Sequence, residues 1–364
     1  MCNTFQKSLR YVKWFFVTVL LLVLISRTIV PDSKFETPTS TVVFDANGYL
    51  LGAKIATDGQ WRFPQSDSIP NKFKTCIKLY EDQYFDFHPG INPVSILRAL
   101  QVNIKSGRAT QGGSTLTMQV ARLLGERSAR TIYKKVKELF IAFHLEINYS
   151  KDEILTMYTS NAPFGGNVVG LDAAAWRYYG RNANQLSWAE YAVLAVLPNA
   201  PSLIYPGKNQ EKLRKKRDIL LDKLKEKGHI DQQTCELSKL EELPSRPFPL
   251  PKYAYHLLDR VSVSHRGQTV TTTVDKFVQQ RVQAIINRHV EQLSGNEINN
   301  AAAIVIDVKT NAIIAYVGNA TNSWEHSNAV DVIKANRSTG SVLKPFLYSS
   351  MLSSGELLPE MLIP

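Results

Sequence analysis

The sequence predicts a mainly α-helical domain behind one transmembrane helix, followed through a linker by the incomplete start of an α/β domain. Three observations predict it. An apolar run, WFFVTVLLLVLI (14–25), follows Lys7, Arg10 and Lys13. Residues 70–227 carry repeated helix start and stop signals around apolar positions at helical spacing. Strand-like runs gather late, at TVTTTV (269–274) and across 301–318.

The chain has 364 residues, room for two or three domains. Hydrophobic residues make up 44% and aromatics 10%, which supports buried cores and excludes a disordered chain. Forty-three basic against 32 acidic residues give a formal +11, a surplus that favours lipid headgroups, phosphates or nucleic acid as partners. The N-terminus selects lipid, and no nucleic-acid partner is expected.

That apolar run is short against the roughly 20 residues of a spanning helix. It resumes at Ile29 and Val30, and Lys13 and Arg27 can extend it by snorkelling. A cleaved signal peptide is the competing reading, but SRTIVPDSKF contains no small-x-small cleavage site. The expectation is a cytoplasmic tail over 1–12 and an uncleaved single-pass anchor over 13–30 in the cytoplasmic membrane. The N-terminus lies inside and the rest outside. Of Cys2, Cys76 and Cys235, the last two could pair, though nothing in their spacing says so, and no Cys-x-x-Cys pattern occurs.

Residues 31–59 read as a polar linker and a β-hairpin, TVVFDANGYLLGAKI turning at Ala46-Asn47-Gly48. The helical domain spans 60–228. Asn92-Pro93 is an N-cap followed by Pro at the first helical position, and Gly107 closes that helix. Ser150–Glu153 and Ser187–Glu190 are capping boxes. The basic helix EKLRKKRDILLDKLKEKG (211–228) reads as a solvated face, with a surface against anionic lipid as the alternative. Residues 229–298 read as a linker region, and 299–364 as the opening of an α/β domain with strands AAAIVIDVKT and NAIIAYVG.

Four local signals fall within the helical domain. EDQYFDFHPG (81–90) sets Glu81 and Asp82 among aromatic residues. Partial desolvation and a like-charged neighbour both raise a carboxyl pKa, which suits a general base working near neutral pH. QGGSTLTMQVARLL (111–124) offers a glycine loop, hydroxyls on Ser114 and Thr115, and Arg122 two turns into a helix. It reads as a phosphate site or as an ordinary capped helix. RTIYKKVKELFIAFHLE (130–146) puts Lys134 and Glu138 at i, i+4 with Lys135 nearby, a surface ion pair or a site for a divalent ion or a pyrophosphate leaving group. NAPFGGNVVGLDAAAWRYYG (161–180) reads as mostly structural, with its small face Ala173-Ala174-Ala175 letting helices approach; Asn161 or Asn167 could bond a sugar.

These motifs, together with SKDEILTMYTSNAPFGGN and LSWAEYAVLAVLPNAPS, resemble the ordered motif series of the glycosyltransferase 51 family, the peptidoglycan glycosyltransferase domains of class A penicillin-binding proteins. The resemblance covers about residues 60–225 and implies a lysozyme-like helical fold. It implies Glu81 as catalytic base, taking the proton from the 4-hydroxyl of lipid II. That oxygen attacks C1 of the growing glycan chain on its lipid pyrophosphate, with inversion. It implies Glu138 as the second catalytic carboxylate, assisting the departing pyrophosphate, with Mg²⁺ or another divalent cation as its metal. Arg122, Lys134 and Lys135 supply positive charge, and Asp82, His88, Ser114, Thr115 and Gln119 complete the substrate-binding set. Membrane lipids and cell-wall synthesis proteins are the further partners implied.

Lys134 stands where Arg is usual, Asn92 where Asp is usual, and Thr159-Ser160 where Leu-Asn is usual. RSTGSVLKPFLY (337–348) is similar to the start of a transpeptidase site, with Ser341 and Lys344 in Ser-x-x-Lys form; an ordinary helix start is the alternative reading. No Lys-Thr-Gly or downstream Ser-x-Asn follows, so β-lactam acylation is expected to be absent. A glycan-cleaving hydrolase and a non-catalytic lipid II-binding scaffold are the rival functions.

Overall fold

The computed structural model describes residues 35–66, 68–107, 112–125, 131–321, 325–336 and 338–361. The expected anchor lies outside them. Among the described residues no helix is long and apolar enough to cross a membrane. The chain divides into two units: one runs to Tyr253 and takes in Leu258–Thr272, and the other holds Ala254–Leu257 and the chain from Thr273 onward.

The first unit opens with the expected hairpin. Strands β1 (Thr41–Phe44) and β2 (Leu50–Lys54) pair antiparallel, with a bulge between Val43 and Phe44. Asp45 organises the turn, its Oδ1 accepting from the backbone of Asn47 at 2.8 Å and Tyr49 at 2.7 Å. A two-residue strand, β3 (Trp61–Arg62), follows and pairs parallel with β5 (Val168–Val169), which in turn pairs antiparallel with β4 (Pro163–Gly165). Strand β6 (Thr269–Thr271) pairs parallel with β1, so TVTTTV completes a sheet begun more than 200 residues earlier.

Nine helices of this unit are α1 (Asn71–Glu81), α2 (Pro93–Ser106), α3 (Leu116–Leu124), α4 (Ile132–Asn148), α5 (Lys151–Asn161), α6 (Leu171–Tyr179), α7 (Trp188–Val196), α8 (Gln210–Glu226) and α9 (Gln232–Leu240), counted among the described residues. Several of their ends are where the sequence puts them. Asn92 accepts from Ser95 N, Gly107 and Gly180 close α2 and α6 in the left-handed region, and both capping boxes are formed. The core joins α1 to α7 and β4: the Phe73 ring centroid lies 6.2 Å from that of Tyr191 and 6.5 Å from that of Phe164. Ala173, Ala174 and Ala175 are fully buried, as their small face predicts.

Helix α8 differs from the solvated reading. Leu213, Arg217, Leu220, Leu221 and Leu224 form a buried stripe, while Lys212, Arg214 and Lys215 stay outside. Burying each leucine stabilises by roughly 1.5–3 kcal/mol, more than surface lysines gain by staying uniformly solvated. Cys76 and Cys235 are separate buried thiols, so they do not pair.

Helix α10 (Tyr255–Ser264) follows the first unit's main run. In the second unit, β7 (Ala303–Ile306) and β8 (Ile313–Val317) pair antiparallel, and α11 (Lys276–Leu293) packs on β8. Buried Gln279 of α11 mimics a neighbouring strand, accepting from Tyr316 N at 2.7 Å and donating to Tyr316 O at 3.0 Å. Residues 229–298, read as a linker, therefore carry α9, α10, β6 and α11. A last helix, α12 (Lys344–Ser353), buries none of its side chains.

Candidate active site

The EDQYFDFHPG loop is held by its own polar groups. Asp82 is buried; its two oxygens lie 3.0 Å from His88 Nε2, and Oδ2 also accepts from Leu116 N at 3.0 Å. The carboxylate thus satisfies an orphan amide at the start of α3. Thr115 caps the same helix, its Oγ1 accepting from Met118 N at 3.1 Å and donating to Gly90 O at 2.5 Å. Gly90 sits at φ +78°, and a Cβ there would meet Glu146 Cγ at 2.8 Å. Lys151 ties the loop down from below, donating to His88 O at 2.7 Å and to Glu146 at 2.8 Å, with its ammonium 4.6 Å from the Phe85 ring centroid. Asp82, His88 and Thr115, expected to bind substrate, are turned inward and spent on this scaffold.

Glu81 is the last residue of α1. Its Oε2 accepts from Gln119 Nε2 at 2.7 Å, and its Oε1 is buried without a hydrogen-bond partner among the described residues. Burial raises its pKa above the usual carboxylate value. Gln119, Asn199 and Lys216 pull it back, and Asp82 pushes it up again.

Three residues further along α3, Arg122 faces a second carboxylate. Its Nε lies 3.1 Å from Glu138 Oε1, and Lys135 Nζ lies 2.8 Å from Glu138 Oε2. Both cations also reach Ser114 Oγ, at 3.4 Å from Arg122 and 3.0 Å from Lys135. Partial burial alone would raise the Glu138 pKa; the hydrogen bonds and charges of Arg122 and Lys135 outweigh it and hold the group ionised, below its ordinary value. Arg122 and Lys135 are both more than 40% exposed, so their remaining donors face solvent. Lys134 lies in the first turn of α4, its backbone amide capped by Thr131. Gln119 and Arg122 share one helix face at i, i+3, so one side of α3 carries both carboxylate clusters.

This donor set does not fit a resident divalent ion. Glu138 is the single carboxylate of its cluster, two cations already occupy its oxygens, and no group of three His, Cys, Asp or Glu able to hold a metal occurs among the described residues. Two cations braced by a carboxylate instead make an anion site, in which Arg122 and Lys135 are oriented for a phosphate. The loop glycine expected to approach a ligand has another neighbour: a Cβ on Gly113 would lie 2.8 Å from Ile96 Cα, so it serves packing against α2.

Asn199 and Lys216 were not legible as site residues. Lys216 looked like one lysine of a charge run, yet it lies at the edge of the buried stripe, three residues after Leu213 and four before Leu220. That phase is the signal that marks it. Thr159 and Ser160 line a hollow with Phe63, Ser66, Ser68 and Asp172. Ser341 and Lys344 are exposed, and neither side chain has a partner among the described residues.

Residues 51–225 match the family model described as Transglycosylase. This chain carries a transglycosylase domain. Over 335 residues, 92% of the chain, it is 34% identical to penicillin-binding protein 1C of Escherichia coli strain K12, covering 43% of that protein. It is 31% identical over 295 residues to penicillin-binding protein 1A of Aquifex aeolicus, 77% of this chain and 40% of that one. A crystal structure of penicillin-binding protein 1A from Haemophilus influenzae aligns with 84% of this chain and 36% of its own, at 16% identity and a TM-score of 0.31. The chain spans about half the length of the curated relatives it matches. Both clusters of the candidate site lie within the matched transglycosylase segment.

Proposed function

We propose that the transglycosylase domain is a peptidoglycan glycosyltransferase that polymerises lipid II into glycan strands, working at the outer face of the cytoplasmic membrane behind the anchor expected at 13–30. The observation that carries this is the pair of clusters on one side of α3: a buried, high-pKa carboxylate beside a cation-rich one. Glu81 takes the proton of the acceptor's 4-hydroxyl, while Gln119 fixes the carboxylate through Oε2. The freed oxygen attacks the anomeric carbon from the face opposite the leaving group, which inverts the centre. Negative charge then grows on the departing diphosphate, and Arg122 and Lys135, held in place by Glu138 and Ser114, receive it. Lys134 adds charge at the start of α4. The helical domain is read as lysozyme-like, and no step is assigned to a divalent ion.

A polymerisation assay with lipid II in detergent or liposomes tests the proposal, run with Mg²⁺ and with a chelator. Long glycan strands are expected from the wild-type chain. Glu81→Gln is expected to lower turnover by at least about 10²-fold, the lower bound of what a positioned base contributes. Release of short fragments from finished peptidoglycan would instead support the hydrolase, and unchanged complementation by Glu81→Gln would support the scaffold.

A further inference from the structure

Groups from five elements act on the electrostatics of Glu81. Asp82 and Tyr80 come from α1 and its end, Gln119 from α3, Tyr158 from α5, Asn199 from the turn after α7, and Lys216 from α8. Lys216 is the one cation among them. It is half-buried, and its Nζ donates to Asn199 Oδ1 at 2.9 Å. An Asn whose carbonyl oxygen is taken by a lysine turns its NH₂ the other way, and Asn199 and Lys216 both act to lower the Glu81 pKa. Both ends of this arrangement are anchored. Helix α8 packs against α1 and α7, and Arg217, next to Lys216, is fully buried, donating to Glu241 O at 2.6 Å and Lys239 O at 2.7 Å.

We propose that Lys216, orienting Asn199 against Glu81, is a positioning residue for the general base. This rests on the reading of Glu81 as that base. The physical need is plain: a buried carboxylate is reluctant to ionise, and a base protonated at working pH is idle. Gln119 fixes one oxygen but brings no charge. Lys216 supplies the compensating positive charge from behind, through a neutral bridge. It therefore favours the ionised form without forming a direct ion pair that would block the reactive oxygen. Burial lowers the lysine's own pKa, while the charge of Glu81 raises it, the reciprocal effect expected of a coupled pair.

Full-chain protein in detergent tests the link with Lys216→Met, Lys216→Arg and Asn199→Ala. Two readouts are taken: kcat/KM for lipid II polymerisation against pH, and the carboxyl ¹³C titration of Glu81, assigned by its loss in Glu81→Gln. In Lys216→Met the acid limb and the Glu81 titration both move to higher pH, so the activity lost at pH 6 is about threefold greater than at pH 8. Lys216→Arg restores most of the wild-type profile, and Asn199→Ala reproduces the Lys216→Met effect from the other end. A Glu81 titration that stays in place in both Lys216→Met and Asn199→Ala overturns the proposal, as does a loss uniform across pH. Should Lys216→Met not fold, the Asn199→Ala titration decides. Because the titration needs no turnover, a wild-type chain that fails to polymerise lipid II sinks the function without touching the link.

Discussion

Asp172 shows what a single half-buried carboxyl does outside the candidate site. It lines the hollow beside Thr159 and Ser160, and desolvation pushes its pKa up to about 6. The folded chain thus holds this proton more tightly than the unfolded one. The associated stability is complete below the unfolded value near 3.8 and is lost as pH rises through about 6. Asp172→Asn should raise stability by on the order of 1–2 kcal/mol at pH 8 and far less at pH 4.5, read as paired melting temperatures. Glu81 obeys the same physics with the opposite use, since its raised pKa serves proton transfer. The aromatic, paired-carboxylate pattern of EDQYFDFHPG made Glu81 legible from the residues. It could not separate Glu81 from Asp82, because both carboxylates bond to α3 and their difference lies in the partners each finds there and at His88.

Helices decide the rest through their buried faces. The lysines of α8 read as a solvated run because charge dominates its composition, yet the leucine stripe sets its orientation and carries Lys216 and Arg217 inward. Arg217 is 1% exposed, and its guanidinium caps the carbonyls at the end of α9. Arg217→Ala should therefore destabilise by about 3 kcal/mol or more, since it leaves buried carbonyls unpaired and opens a cavity. Chemical denaturation measures this, and a change under about 1 kcal/mol would contradict the packing of α8 on α9. Capping boxes, Asn92 and the terminal glycines were legible because each is a local rule satisfied within four residues. The pinning of the Asp82 loop by Lys151 and Glu146 was not, because those residues meet it from α5 and α4.

Across the whole molecule, the two units ask different questions. In the second, Ser341 and Lys344 stand exposed, with no side-chain partner among the described residues and α12 burying nothing. Incubation of this chain with a fluorescent penicillin should give no stoichiometric label, and labelling lost in Ser341→Ala would refute that expectation. By itself the sequence determined the helical character of residues 60–228, the capping boxes and the Asn92, Gly107 and Gly180 caps, and the candidate carboxylates Glu81 and Glu138. These follow from local chemistry and from motifs whose order survives in one dimension. Tertiary structure decided that Asp82, His88 and Thr115 face inward, that TVTTTV closes the N-terminal sheet, and that Lys216 reaches from α8 to Asn199. Such outcomes turn on which faces are buried against which, and burial is a property of contacts between residues far apart in the chain, which no local pattern encodes.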